Sequence, residues 1–235
     1  MKRLEFALPT TIDYNTIFDQ NMISVVILNY MRPWNLKKNV NELLKYQNIG
    51  EINIINGSVP NIVAFQHEKI QQFTDNNVYG GAIRFFCPTK FQTVLYLDDD
   101  TLPSEEFLDI LRNIVIEDPI NIVGESGREC SSQGYITTNP RNNNMILTST
   151  LMTTRQVIDK ILPQFVLYEN KMKEYRGNCE DILFNHLFEV IFSKKPKKIN
   201  NTTSKTLLFD TKSHAYSQKR NHYTLRNEFC KQIKR

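Results

Sequence analysis

Short apolar runs bounded by polar turns dominate the first half of the chain. The run ISVVILNY at residues 23–30 is continuously apolar and rich in β-branched residues, and EINIIN follows at residues 51–56. The apolar positions between these runs fall near helical spacing: Trp34, Leu36, Val40, Leu43 and Leu44. We therefore predict a buried strand, a helix that ends at Gly50 and a second strand, which is the opening of a parallel sheet.

The next apolar strand ends in three carboxylates. Residues 94–103 read VLYLDDDTLP, so Asp98, Asp99 and Asp100 follow the apolar residues directly. Ser104 then has the side chain of a helix N-cap, with acidic residues in the first turn and an apolar face behind them, so we predict a helix to about Asp118. The polar segment before Gly80 has turn chemistry and predicts a weak helix at most.

The second half of the chain alternates less regularly. Its predicted elements are strands at 121–124 and 145–152, a helix at 154–162 stopped by Pro163, an apolar helix at 179–192, a strand at 206–210 and a helix at 216–233. Neither an internal repeat nor a low-complexity linker interrupts this pattern. The whole chain is therefore expected to form one α/β unit.

Composition and charge argue against several classes of protein but do not identify a reaction. The chain has 235 residues, of which 40% are hydrophobic, enough for a packed core. No apolar stretch reaches the length of a membrane span, and no secretory signal forms before Pro9, so we expect a soluble, cytoplasmic protein. The net charge of +4 is mild, and the basic residues, which gather mainly at 194–198 and 212–235, do not form the interleaved aromatic platform of a nucleic-acid binder. Because the cysteines form no C-x-x-C pair, we do not expect a zinc site.

Two acidic segments are candidates for chemistry. At the carboxyl end of a strand in an open parallel sheet, Asp98 and Asp100 project to one side and Asp99 to the other. Two carboxylates on one side suit a hard divalent cation, and such a cation suits a diphosphate. The alternative is that these aspartates only cap the following turn and helix. Likewise, Glu180 and Asp181 at the start of the long apolar helix either complement its dipole or belong to a site.

Together, these motifs resemble the exostosin-like glycosyltransferases of the GT-A fold. The resemblance runs from about residue 23 to residue 233, and its features are Tyr30 and Arg32 after the first strand, Asn56 after the second, Arg84 ahead of DDDT, NCED at 178–181 and HYTLRNEFC at 222–230. It implies a single GT-A domain over residues 1–235, with a mixed, mostly parallel sheet flanked by helices. A Rossmann-like nucleotide-sugar half would span about 21–104 and an acceptor half about 105–235. The chain is also similar to soluble family members from large DNA viruses.

The resemblance implies roles for individual residues. Asp100 would bind Mn²⁺ (or Mg²⁺), and Asp98 would complete the D-x-D pair and reach the ribose or donor sugar. Asp181 matches the family's essential acid beside the anomeric carbon, with Glu180 as its acidic neighbour and Arg226 as the late arginine near the diphosphate. The other nucleotide-sugar contacts would be Tyr30, Arg32, Asn56, Arg84 and Asp99.

The implied reaction transfers a sugar from a UDP-sugar to a carbohydrate or glycoprotein acceptor, with retention of the anomeric configuration. We expect the acceptor over the polar segment 127–144, where Arg128 is either a contact or a plain surface residue. His214 is a less favoured metal ligand, and His222 is expected to be structural. The alternatives are a sugar nucleotidyltransferase, although NYMRPWNL is not the glycine-rich, lysine-bearing loop of that class, and a catalytically silent glycan-binding module. The sequence does not specify the donor sugar, the linkage or the oligomeric state.

The cysteines add an expectation about the C-terminal helix. Cys179 and Cys230 match a pair that is bridged in secreted members of the family, where a bridge would pin that helix next to Asp181. A cytoplasmic enzyme would keep both as thiols. We therefore expect the two residues to lie close together.

Overall fold

The computed structural model describes residues 1–7, 19, 21–57, 62–75, 77–137, 143–200, 205–206 and 221–234. Its strands are β1 (Lys2–Arg3), β2 (Ile23–Asn29), β3 (Ile49–Asn56), β4 (Ile70–Thr74), β5 (Thr93–Asp98), β6 (Thr101–Leu102), β7 (Ile122–Gly124), β8 (Gly127–Ser131), β9 (Gly134–Ile136), β10 (Met145–Ile146), β11 (Thr150–Thr154), β12 (Lys197–Lys198) and β13 (Lys205–Thr206). Its helices are α1 (Pro33–Leu43), α2 (Glu105–Glu117), α3 (Arg155–Val166), α4 (Glu169–Glu174), α5 (Glu180–Phe192) and α6 (His222–Ile233), with a 3₁₀ helix at Gly80–Phe86.

A mixed, mostly parallel sheet forms the centre of the molecule. In the described part of the chain it has eight strands in the order β1-β4-β3-β2-β5-β11-β7-β12. The pairs from β1 to β5 are parallel, and β11 is antiparallel to both β5 and β7. The predicted α/β fold with a mostly parallel sheet is therefore confirmed. The carboxyl ends of β2, β3 and β5 lie side by side at one edge of this sheet, as ligand sites in such folds require.

Both faces of the sheet are covered, so the strands are buried on both sides. Alternation along β2 sends Val25 and Ile27 into the core layer that contains α1 and α2, and Val26 into the layer that contains α3 and α5. This two-sided burial explains why the predicted strands are continuously apolar. None of the described helices is both long and apolar enough to cross a lipid bilayer.

The helix after the aspartates begins where its sequence predicts. The Ser104 side chain accepts a hydrogen bond from the backbone N–H of Phe107 at 3.2 Å, and Glu105 and Glu106 occupy the first turn. The acids complement the positive end of the helix dipole, and Leu108 and Leu111 are fully buried. The capped start of α2 therefore fixes the direction of the chain just after the aspartate triplet.

Three predictions for the first half were wrong. Helix α1 ends at Leu43, and Gly50 lies inside β3, where a Cβ atom would collide with the ring of Phe91. Close packing, not helix termination, explains this glycine. In the polar segment before Gly80, for which at most a weak helix was predicted, Ile70–Thr74 forms β4, because it pairs in parallel with β3 along its length. Trp34, assigned to the apolar face of α1, is 64% exposed.

Two predictions for the second half were also wrong. Helix α3 continues through Pro163 to Val166, because the buried ring of Phe165 anchors its last turn in the core. The predicted strand at 145–152 divides into β10 and β11, which belong to different sheets. The turn between them carries Thr148 and Ser149 to the edge of the central sheet.

Some predictions at the C-terminal end fall outside the described residues. This applies to His214, to residues 207–210 of the predicted late strand and to residues 216–220 of the predicted C-terminal helix. The remainder of that helix is confirmed as α6.

The expected thiol state was correct for Cys179 and wrong for Cys230. Cys230 on α6 forms a disulfide with Cys130 on β8, with 5.4 Å between their Cα atoms, whereas Cys179 is a buried free thiol. Strand β8 belongs to a small antiparallel sheet in the order β10-β8-β9. This sheet packs against α6, so it supplies the partner of Cys230. The bridge therefore ties α6 to the small sheet instead of to Cys179 at the start of α5.

We predict that Cys230→Ser lowers the free energy of unfolding by about 3–5 kcal/mol, because the bridge closes a long loop in the unfolded chain. The two cysteines are 100 residues apart in sequence. Denaturant unfolding of the unreduced proteins measures the difference, and Cys87→Ser, which removes a buried thiol without removing a cross-link, is the control. Peptide mapping after alkylation should link Cys130 to Cys230, and a Cys179–Cys230 peptide would contradict the structure.

Candidate active site

A cavity of about 400 Å³ opens at the carboxyl ends of β2 and β5. From the first half of the chain, Tyr30, Arg32, Arg84, Asp98 and Asp100 line it. From the second half, Glu180, Asp181 and Arg226 line it. The structure therefore brings together most of the residues that were predicted as a site, from segments far apart in the sequence.

Asp99 and Asn56 are the predicted site residues that do not line the cavity. The Asp99 side chain is fully buried and accepts a hydrogen bond from the backbone N–H of Tyr30 at 3.1 Å. Asn56 is also fully buried, and its side-chain oxygen accepts a hydrogen bond from the Asn29 amide at 2.8 Å. Both residues lie behind the cavity, where they connect the ends of neighbouring strands.

The aspartate triplet is paired with arginines from two other elements. Arg32, in the turn after β2, forms ion pairs with Asp99 at 2.5 Å and with Asp100. Arg84 of the 3₁₀ helix forms an ion pair with Asp98 at 3.1 Å. Burial raises the pKa of Asp100, and the Arg32 guanidinium opposes that shift. These pairs hold the triplet in place while leaving the Asp98 and Asp100 side chains 34% and 25% exposed to the cavity.

A second, more deeply buried ion pair joins the start of α5 to α6. Arg226 of α6 donates from one terminal nitrogen to both carboxylate oxygens of Asp181, at 2.8 and 2.7 Å. Its other terminal nitrogen donates to the carbonyl of Asn178 at 2.6 Å. Burial disfavours the Arg226 cation, but the Asp181 charge outweighs that effect and raises the pKa of Arg226 above its ordinary value. Arg226 is therefore a cation in the folded protein.

Glu180, the immediate neighbour of Asp181, has a different environment. Its side chain lies against Gly81, where a Cβ atom would collide with the carboxyl group, and it accepts a hydrogen bond from the Thr148 hydroxyl at 3.4 Å. Burial and the nearby Asp181 charge raise the pKa of Glu180 to about 7. Glu180 is therefore a partly protonated acid at neutral pH, next to the carboxyl group that Arg226 binds.

The lining is suited to an anionic ligand that arrives with a divalent cation. The ionisable lining residues in the described part of the chain are Arg32, Arg84, Arg128 and Arg226 against Asp98, Asp100, Asp181 and the partly protonated Glu180. No group of three or more His, Cys, Asp or Glu side chains in that part is arranged to hold a metal ion. Asp98 and Asp100 instead offer the one or two carboxylates with which proteins bind Mg²⁺ or Mn²⁺ together with substrate phosphates. The donor set thus fits a cation that is shared with a diphosphate.

Several lining residues were missed or left open by the sequence analysis. They include Asn77, Thr148, Ser149, Tyr135 and Asn178, together with His222 and Tyr223 from the first turn of α6. Arg128, predicted either as a contact or as a surface residue, lines the cavity. His222, expected to be structural, also lines it, and burial lowers the pKa of His222 to about 4, so its imidazole is neutral. The NCED motif already marked Asn178, but no local pattern marked Thr148 or Tyr135.

Comparison with known proteins identifies a matching family and a structure with a similar fold. The family model described as the Glycosyl transferase family 64 domain matches residues 23–235. No curated protein matches the chain. Among solved structures, the 2-C-methyl-D-erythritol 4-phosphate cytidylyltransferase of Francisella tularensis is similar, with a TM-score of 0.54 and 12% identity over 82% of this chain and 95% of that chain. At that identity the likeness shows the fold alone.

We predict that Glu180 makes stability depend on pH between about 4.5 and 7. In this window the unfolded chain has released the Glu180 proton while the folded protein retains it, so the free energy of unfolding falls as pH rises. Glu180→Gln, which stays neutral, should remove roughly 1–3 kcal/mol of that fall. Denaturant unfolding at several pH values measures it, with the exposed Glu106→Gln as the matched control. Parallel curves for the wild type and Glu180→Gln would show that this carboxyl is ionised throughout.

Proposed function

The chain belongs to glycosyl transferase family 64, and from that premise we propose that it is an exostosin-like, metal-dependent enzyme that transfers a sugar from a UDP-sugar to a carbohydrate or glycoprotein acceptor with retention of configuration. The observation that carries the proposal is the single cavity in which the Asp98–Asp100 segment meets the Asp181–Arg226 ion pair. The first can hold a diphosphate with its cation. The second can stabilise the reacting carbon of the sugar.

The charges that develop during sugar transfer explain why one group of residues would bind the diphosphate and another would stabilise the sugar. Breaking the bond between the anomeric carbon and the diphosphate oxygen leaves negative charge on the diphosphate and positive charge on the sugar. Mn²⁺ or Mg²⁺, when held by Asp100 and Asp98, supplies positive charge to the diphosphate. Arg32 and Arg84 lie at the same end of the cavity and bind phosphate oxygens, with Tyr30 beside them.

Asp181 acts at the other end of the cavity. Its carboxylate, held in place by Arg226, stabilises the positive charge on the anomeric carbon. The acceptor oxygen forms the new bond to that carbon as the bond to the diphosphate breaks, and the acceptor proton passes to the departing diphosphate. Glu180, whose raised pKa leaves it partly protonated at neutral pH, offers an O–H donor to the sugar in its protonated form.

The alternative of a sugar nucleotidyltransferase is the less supported one. The cytidylyltransferase likeness extends to the fold only, and the segment after β2 is not a glycine-rich, lysine-bearing loop. A catalytically silent glycan-binding module would not require the Asp181–Arg226 ion pair beside the aspartate triplet. Family membership and the intact acids together favour transfer of a sugar.

We predict that UDP with Mn²⁺ stabilises the protein, since a ligand that binds only the folded state raises its stability. At about 100 times the dissociation constant the gain is about 2.7 kcal/mol, or roughly 5–10 °C in melting temperature. Thermal unfolding with and without Mn²⁺ measures it, against a panel of other nucleotides. Asp100→Ala should abolish the dependence on Mn²⁺, whereas Glu106→Gln should retain it. A protein whose melting temperature is unchanged by every nucleotide would refute the proposed donor site.

We predict that Asp181→Asn lowers turnover of the UDP-sugar by at least about 100-fold while UDP binding stays within a fewfold of the wild type. The variant leaves the Arg226 charge buried without a partner, which costs roughly 3–5 kcal/mol of stability. The double variant Asp181→Asn with Arg226→Gln removes that unpaired charge. It should regain stability but not turnover, so assays of both variants separate loss of chemistry from loss of the fold. Normal turnover in either variant would contradict the role of Asp181.

A further inference from the structure

The hairpin formed by β8 and β9 holds α6 at three points around Arg226. The disulfide joins Cys130 to Cys230, one helical turn beyond Arg226. The side chain of Asn227 accepts a hydrogen bond from the backbone N–H of Tyr135 at 3.1 Å. Gly134 has a φ of +128°, and a Cβ atom there would collide with the Asn227 side chain, so only glycine permits this approach.

The third point of contact is the Tyr135 ring itself. The Cζ atom of Arg226 lies 4.5 Å from the centre of this ring, within the range of a cation–π interaction. The guanidinium lies over this ring, and its terminal nitrogens donate to Asp181 and to the Asn178 carbonyl. The Nε of Arg226 has no hydrogen-bond partner among the described residues. The orientation of the guanidinium therefore depends on the ring as well as on its two acceptors.

The ring and the hydrogen bonds restrict different motions of the Arg226 guanidinium. Hydrogen bonds from the terminal nitrogens alone allow the planar group to tilt, and a ring packed against it restricts that tilt. The planar group stacks on aromatic rings, whereas an aliphatic side chain of similar size gives no such electrostatic attraction. Cys130 and Gly134 on the hairpin contact Cys230 and Asn227 on α6, and these contacts keep the ring against the guanidinium.

We propose that Tyr135 is a positioning residue, whose ring holds Arg226 in its two-oxygen contact with Asp181. The catalytic consequence rests on the proposed function, because Asp181 acts on the donor sugar only in that proposal. The ring acts through Arg226, so its effect should appear in the rate of the transfer step more than in donor affinity. The effect should also follow the aromatic ring and not the hydroxyl group.

The test compares Tyr135→Phe, which keeps the ring, with Tyr135→Leu, which removes it. Tyr46→Leu is the matched control, because it removes a half-buried tyrosine that packs in the other core layer and does not line the cavity. Kcat and KM for the UDP-sugar are measured for each, with the melting temperature and the disulfide as checks on folding. The ¹⁵N resonance of the Arg226 Nε–H, assigned with Arg226→Lys, reports the ring current of a stacked aromatic without any turnover.

We expect Tyr135→Leu to lower kcat by about 10- to 100-fold, the order expected for a misplaced catalytic group, with KM for the donor changed less than about threefold. The Arg226 Nε–H resonance should shift in Tyr135→Leu, while Tyr135→Phe and Tyr46→Leu should keep both the resonance and a kcat within about threefold of the wild type. Wild-type kcat in Tyr135→Leu would overturn the proposal. Equal losses in Tyr135→Phe and Tyr135→Leu would also overturn it, since the hydroxyl would then be the group that acts.

The two proposals fail in different ways. If the wild type transfers no sugar from any UDP-sugar, the proposed function fails, and the Nε–H resonance alone decides whether the ring holds the guanidinium. A resonance that is unchanged in Tyr135→Leu overturns the positioning role, even in an active enzyme.

Discussion

The buried ion pair between Asp181 and Arg226 is the interaction on which the second half of the molecule depends. Both side chains are only 5% exposed, and a charge left unpaired at that depth costs several kcal/mol. The start of α5 and the first turns of α6 must therefore dock with these two groups in contact. The small sheet then packs on the same part of α6, through the disulfide and the Tyr135 ring. The need to keep these two buried charges paired therefore determines how α5, α6 and the small sheet pack together.

The same requirement operates at the ends of the sheet strands. Each aspartate of the triplet is paired with an arginine from another element: Arg32 after β2 or Arg84 in the 3₁₀ helix. The side chains are consequently ordered before any ligand arrives. A diphosphate with its cation would exchange partners with groups already in place, and little reorganisation would remain for the moment of reaction.

The sequence predicted the features that depend on residues close to one another along the chain. Apolar runs mark β2, β3 and β5, and the acids that follow them mark the strand ends, so Asp98, Asp100 and Asp181 could be found without coordinates. Thr148, Tyr135 and the bridge of Cys130 to Cys230 could not, because they depend on how the small sheet and α6 pack together. The Tyr135 N–H and its acceptor on Asn227, for example, are 92 residues apart in sequence. Gly50 and Ile70–Thr74 were misread for a related reason: contact with Phe91 and pairing with β3 overrode their local turn-like and polar character.

Glu180 and Asp181 show how two adjacent carboxyl groups acquire different chemistry from their partners alone. Asp181 accepts two hydrogen bonds from a guanidinium. Glu180 faces the backbone of Gly81 and a hydroxyl group instead, and burial together with the charge of its neighbour raises its pKa. In the proposed reaction, this difference reduces the negative charge beside the sugar. Because Arg226 binds Asp181 and not Glu180, the element that carries Arg226 takes part in setting the chemistry at the start of α5.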